Sequence, residues 1–191
     1  MKKEIVRSLR VLLTLTIVTG FLYPILIAVI ARVVFPKRAE GSLLERDGVT
    51  VGSSLLAQKF ESDRYFWPRP SAVDYNPLPS GATNFGPTSD TLRRVVEFRR
   101  AAFISRNQLG LTVIVPNDML FSSGSGLDPE ISPESAFLQV DRVARARHFD
   151  ERQKSALREL VVRSVRSPQF RILGMARVNV LSLNLAIDAL K

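Results

Sequence analysis

One uncharged run, Val11 to Ala31, constrains this chain more than anything else in it. Arg10 and Arg32 close it on either side. As a helix it measures roughly 32 Å, about the hydrocarbon thickness of a bilayer. Most of it is Leu, Ile, Val, Phe and Ala. In lipid, backbone amides must pair within their own segment, so the run predicts one membrane-crossing helix. Two other readings compete with it. The apolar region of a cleaved secretory signal is ordinarily about 7–15 residues, shorter than this one, although Val29-Ile30-Ala31 has the spacing of a cleavage site. A core helix of a soluble domain rarely lacks a polar face over such a length. Gly20 and Pro24 lie mid-span, where membrane helices tolerate them. With Thr14, Thr16 and Thr19 they point to packing against a neighbouring helix.

Charge sets the orientation less firmly. Lys2, Lys3, Arg7 and Arg10 precede the run; Arg32, Lys37, Arg38 and Arg46 follow it. The counts tie, and the tighter N-terminal cluster favours an N-terminus inside the cell with the remainder outside. The net charge is +9. Beyond the helix the arginines cluster at Arg93, Arg94, Arg99 and Arg100 and again at Arg142, Arg145 and Arg147. Neither cluster has the interleaved aromatics of a nucleic-acid surface, so both are expected to be solvated helix faces, with anionic lipid or an acidic partner as the alternative. Cysteine is absent, which excludes disulfides, thiolate nucleophiles and Cys metal sites.

The remaining chain reads as a single soluble α+β domain with several helices and a small sheet. The expected organisation is an N-terminal tail over 1–10, a transmembrane helix over 11–35, a charged linker over 36–48 and the soluble domain over 49–191. Gly52-Ser53-Ser54 followed by Leu55, Leu56 and Phe60 predicts a helix start. From about 63 to 87 the sequence has no periodicity. It holds Pro68, Pro70, Pro77, Pro79 and Pro87, yet also Tyr65, Phe66, Trp67, Tyr75 and Phe85. Disordered segments are poor in aromatics, so this is expected to be an ordered, packed loop. Thr88, Ser89 or Asp90 caps the next helix, with Leu92, Val95, Val96, Phe98, Ala102 and Phe103 on its apolar face. Leu111 to Val115 predicts a strand. Ser132 caps a helix with Pro133 in its first turn, burying Ala136, Val140, Val143 and Ala144. Asp150 and Gln153 form a capping box ahead of Leu157, Leu160 and Val161. Asn179 caps a final helix.

Groups suited to catalysis are few. His148, the one histidine, follows an Arg-rich helix end and is expected to cap it. No phosphate-cradling Gly-rich loop or dinucleotide motif occurs. Asp118, Asp128 and Glu130 have no spacing that forces them together, and turn bonding or surface positions suffice for them. The distinctive features are two small-residue loops, Ser80 to Pro87 and Ser123 to Pro129, which suit either tight turns or a surface that docks onto another protein.

Several motifs in order then resemble the C-subunit (KdpC) family of the Kdp potassium-transporting P-type ATPases. They are Tyr65-Phe66-Trp67-Pro68-Arg69-Pro70-Ser71-Ala72, then Ser80-Gly81 to Asn84 with Gly86-Pro87, then Ser123-Gly124-Ser125-Gly126-Leu127-Asp128-Pro129. Ile131-Ser132-Pro133, Gln139, Arg142-Val143-Ala144 and Arg147 follow. Arg177-Val178-Asn179-Val180-Leu181, with Leu183-Asn184-Leu185-Ala186 and Asp188, closes the set. Glu130 stands where the family commonly has His, Ala82-Thr83 where it has Gly-Ser, and Pro68 where Gly is expected. The resemblance implies a single-pass subunit of a bacterial inner-membrane complex, with its N-terminus cytoplasmic and its soluble domain periplasmic. Its partners would be a channel-like potassium-binding subunit, a P-type catalytic subunit, a small single-helix subunit and membrane lipid, with no nucleic acid. K+ would be the transported ion. ATP enters only through the family's description as a chaperone that raises the ATP affinity of the catalytic subunit; no cofactor or metal is expected on the chain itself. The resemblance makes Arg69, Ser71, Ser80, Gly81, Asn84, Gly86, Ser123, Gly124, Ser125, Gly126, Asp128, Gln139, Arg142, Asn179 and Asn184 the docking candidates, with Gly20 and Pro24 packing in the membrane. The alternative is an anchored extracytoplasmic enzyme, scaffold or solute-binding module unrelated to potassium transport.

Overall fold

The computed structural model describes residues 1–190, which fall into two compact units dividing between Ser53 and Ser54. The first unit opens with one continuous helical rod, Lys2–Val34, the one helix among the described residues long and apolar enough to cross a membrane. It consists of α1 (Lys2–Ile17), a π turn over Val18–Leu22 and α2 (Tyr23–Val34). The π turn has a covalent cause. Pro24 has no N–H to give the carbonyl four residues back, and its ring would collide there. That carbonyl belongs to Gly20. The helix lengthens one turn instead, and the Tyr23 N–H donates to the Val18 carbonyl, five residues back. Thr19 Oγ1 donates to the Leu15 carbonyl at 2.7 Å, as expected of a threonine in an apolar helix.

The segment expected to be a linker is structured. It holds a short helix, α3 (Pro36–Ala39), and a strand, β1 (Leu43–Arg46), that pairs antiparallel with β2 (Val49–Ser53). Asp47 (φ 53°) and Gly48 (φ 76°) turn the hairpin. Both central residues of the favoured two-residue turn need positive φ, and Asp-Gly supplies that. The expected helix start at Gly52-Ser53-Ser54 is therefore wrong. Val49 to Ser53 pairs with a neighbour, and Leu55 and Leu56 end in a turn with their side chains exposed.

The second unit packs four main helices around a three-stranded sheet. These are α4 (Asp90–Asn107), α6 (Pro133–Arg147), α7 (Glu151–Ser164) and α8 (Val180–Asp188), with a single turn, α5 (Asn117–Leu120), between the first two. The sheet runs β3 (Glu130–Ile131), β5 (Arg177–Asn179), β4 (Val165–Arg166), all antiparallel, with Val178 opposite both Ile131 and Val165. The caps follow the sequence. Ser89, Ser132 and Asn179 each accept from a backbone N–H of the first turn, and Asp150 with Gln153 completes a capping box. His148 sits at the C-cap of α6 in the left-handed region, its N–H on the carbonyls of the preceding turn.

The core joins Ala136, Val140, Val143 and Ala144 of α6 to Leu157 and Val161 of α7 and to Leu183 and Ile187 of α8. Ile131, Val178, Phe66, Phe103, Met119 and Leu120 close it. Two expectations fail here. Leu111 to Val115 is a turn with no strand partner. Leu111 and Ile114 stay exposed and only Val115 is buried, because β-branched residues make a strand only where a ladder is available. In α4, Phe98 (75% exposed) and Ala102 face outward, and Val96, Phe103 and Asn107 face in. Two residues on from Val96 lies about 200° around the helix, so Phe98 cannot share its face.

Leu157→Ala should therefore lower stability by about 2–4 kcal/mol, while Val162→Ala, five residues on but outward-facing, stays within about 0.5 kcal/mol. Denaturant midpoints of the full chain in detergent would separate the two.

Candidate functional site

The long proline-rich segment from 63 to 87 has no helix or strand, yet near its start it dips into the interior, with Phe66 fully buried and Pro68 buried beside it. Buried backbone must be hydrogen-bonded, and here side chains from two helices do it. Asn184 of α8 takes the Phe66 N–H on Oδ1 at 2.8 Å and gives its Nδ2 to the Phe66 carbonyl at 3.0 Å. Gln139 of α6 does the same for Trp67, accepting its N–H at 2.7 Å and donating to its carbonyl at 3.3 Å. Each amide side chain imitates one rung of a β-ladder.

Arg142, one turn along α6, extends the clamp. Its Nη1 donates to the Asp63 and Tyr65 carbonyls at 2.7 and 3.0 Å, its Nη2 to Gln139 Oε1 at 2.7 Å and its Nε to Asn107 Oδ1 at 3.0 Å. Its guanidinium lies 3.7 Å from the centre of the Trp67 ring. Burial pushes this guanidinium down, against the upward pull of the Asp63 carboxylate, to about 9, so it stays charged at neutral pH. Arg147 repeats the device at the rim. It donates to the Arg64 carbonyl and to Asp188, each at 2.7 Å, and lies over the Tyr65 ring, whose hydroxyl also donates to Asp188.

The second small-residue loop packs on the first. Arg69 donates to Asp128 Oδ2 at 2.7 Å, and the Gly81 N–H donates to the Ser125 carbonyl at 2.9 Å. Gly126, at φ 70°, has no room for a side chain: a Cβ would sit 2.8 Å from the Val73 side chain and 3.0 Å from the Gly81 carbonyl and the Ser71 hydroxyl. Ser71 Oγ accepts the Val73 and Tyr75 N–H groups, and Ser123 Oγ accepts that of Asp128. Tyr75 closes the loop by donating its hydroxyl to the Arg69 carbonyl at 2.8 Å. Burial, with Asp74 nearby, pushes its phenol up to about 12.

The fifteen docking candidates therefore separate into three groups. Ser80, Asn84, Gly86, Gly124 and Ser125 are exposed, and Arg69, Ser71, Gly81 and Asp128 are half-buried. Ser123, Gly126, Gln139, Arg142, Asn179 and Asn184 are interior. Arg142, expected on a solvated helix face, is 2% exposed: its cation is taken in because four oxygens of the fold receive it. Asn179 caps α8 and donates to the Ser54 carbonyl at 2.8 Å. The carboxylates do not converge. Asp118 receives Ser132 and Ser135, Asp128 receives Arg69, and Glu130 pairs with Arg177 at 2.8 Å. Three participants lay outside the sequence reading of the site: Asn107, Asp63 and Arg99, the last donating to the Leu120 carbonyl and the Ser122 hydroxyl. A signal existed for Gln139 and Arg142, which fall at i+3 and i+6 from buried Ala136, on the core-facing side of α6.

Comparison with known proteins returns one consistent answer. Residues 5–189 match the family model described as KdpC, the K+-transporting ATPase c chain. A potassium-transporting ATPase KdpC subunit of Burkholderia cenocepacia is 46% identical over 191 residues, covering 98% of this chain and 97% of that one. The Cereibacter sphaeroides subunit of the same name is 45% identical over 182 residues, 95% of each chain. That of Geobacter metallireducens is 43% identical over 191 residues, 98% of each.

Arg142→Met should leave the Asp63 and Tyr65 carbonyls without donors and cost about 3 kcal/mol or more. Limited proteolysis would report it as cleavage between 62 and 87 that the native chain resists. Tyr75 gives a pH dependence of definite sign. Its folded phenol is raised above the unfolded value, so its contribution is complete below about pH 10 and is lost as pH rises towards 12. Tyr75→Phe should flatten that alkaline fall, read as the denaturation midpoint against pH.

Proposed function

The chain belongs to the KdpC family of potassium-transporting ATPase c chains, and from that membership we propose that it is a non-catalytic subunit that holds the transport complex together from the outer face of the membrane. One observation supports this reading above the others: the clamp. Two amide side chains and a guanidinium fix the buried start of the 63–87 loop from beneath. The far end of the loop still presents Leu78, Ser80, Asn84, Phe85 and Gly86 to solvent. A loop held at its start, and tied near its crest by the Gly81 N–H to the Ser125 carbonyl, offers an exposed, small-residue and partly apolar crest to a partner surface, and such tethering lowers the ordering cost of docking.

In this reading the Lys2–Val34 helix spans the inner membrane with its N-terminus in the cytoplasm. Gly20 and Pro24 lie at the level where it packs against the channel-like, potassium-binding subunit. The soluble unit sits outside and seats the crest on that subunit's outer surface. The P-type subunit and the small single-helix subunit complete the assembly, and potassium is its cargo. Any influence on ATP affinity is then indirect, since nucleotide and soluble unit lie on opposite sides of the bilayer.

Crest substitutions test this without touching the clamp. Gly86 has open space where a side chain would grow, and Ser80 is exposed. Ser80→Trp with Gly86→Trp should leave the thermal midpoint of the isolated full chain unchanged and reduce its recovery with the other transport subunits about ten-fold or more. Normal assembly and potassium uptake by the double variant would overturn the docking assignment.

A further inference from the structure

The second unit carries one excursion that its core does not use. Between β4 and β5 the chain turns back on itself through Phe170 and Arg171, both at positive φ (54° and 65°). It is a formed hairpin: the Gln169 N–H donates to the Leu173 carbonyl at 2.8 Å and the Leu173 N–H returns to Gln169 at 2.9 Å. Its side chains point away from the fold. Phe170, Ile172, Leu173 and Met175 are 77%, 80%, 57% and 81% exposed. Single exposed apolar residues need no explanation, but four on one hairpin form a patch of the kind that meets another surface.

The charges around the patch say which surface. From Leu160 to Ile187 the sequence contains Arg163, Arg166, Arg171 and Arg177 and no acidic residue. Arg163 is paired with Glu159 and Arg177 with Glu130. Among the described residues, Arg166 and Arg171 have no carboxylate partner. An apolar tip flanked by free guanidiniums is the composition of a segment that enters the headgroup boundary of an anionic bilayer. The same chain carries a helix of membrane-spanning length, so that bilayer is present at high effective concentration.

We propose that this hairpin is a second, shallow membrane contact. Phe170, Ile172, Leu173 and Met175 enter the interface, while Arg166 and Arg171 bind the phosphates of anionic lipids. The contact rests on the helix lying in a bilayer and is independent of the docking crest.

The absence of cysteine makes the test clean. Ile172→Cys in the full chain takes a single nitrobenzoxadiazole label, and Ser155→Cys on the exposed side of α7 serves as control. Both are reconstituted into phosphatidylcholine vesicles with or without phosphatidylglycerol. With anionic lipid the label at 172 should shift blue and be quenched by doxyl lipids, while the label at 155 stays aqueous. Arg166→Gln and Arg171→Gln should lower the ratio of quenched to unquenched label about five-fold per arginine. A label at 172 that is aqueous in both lipids overturns the proposal. So does one shielded only once the other transport subunits are added, which would assign the hairpin to a protein partner. Equal shielding in both lipids, unmoved by the arginine substitutions, overturns the anionic-lipid assignment.

Discussion

A loop cannot enter a protein interior unless its amides and carbonyls are bonded, and a loop with no ladder has to borrow its partners. Residues 63 to 67 borrow them from α6 and α8. Asn184 and Gln139 each satisfy both polar groups of one backbone residue, and Arg142 gathers two further carbonyls. Phe66 can then be fully buried and the helices can close around it. Arg142 is the most exacting member. A buried cation without acceptors would be prohibitive, and its acceptors without the cation would be orphaned. The side chain and the loop therefore require each other. This mutual requirement holds the start of an aperiodic, proline-rich segment against α6 and α8.

Much of this was readable in advance where the cause is local. Ser132-Pro133 and Asp150 with Gln153 mark helix starts because caps are satisfied within one turn, and the spacing of Val140, Val143, Leu157 and Val161 names the faces that pack. The anchor is legible from length and absence of charge alone. What escaped depends on distant chain. Leu111 to Val115 has strand composition, but nothing lies beside it to complete a ladder. Asp47-Gly48 is a strong hairpin signal set among charges that mask it as a linker. Of the site, the loops were visible as loops. That Arg142 lies inside rather than on a wet helix face was not, since its four acceptors come from positions 63, 65, 107 and 139.

Two residues that the resemblance does not lead one to expect, Pro68 and Glu130, have structural homes. Pro68 is buried directly after the two clamped residues, at a position where it has no N–H to satisfy. Glu130 pairs with Arg177 across β3 and β5 and joins two short strands through their side chains. Two-residue strands have few backbone bonds, so a cross-strand ion pair is a natural supplement.

The π turn in the anchor reaches beyond its own residues. Accommodating one extra residue rotates everything after it by about 100° relative to a regular helix. Side chains of α1 and α2 that an unbroken spiral would align in one stripe instead occupy two offset half-stripes. A straight neighbouring helix lying along this rod would meet one azimuth below Val18 and another above Leu22, two short patches with the glycine at the seam.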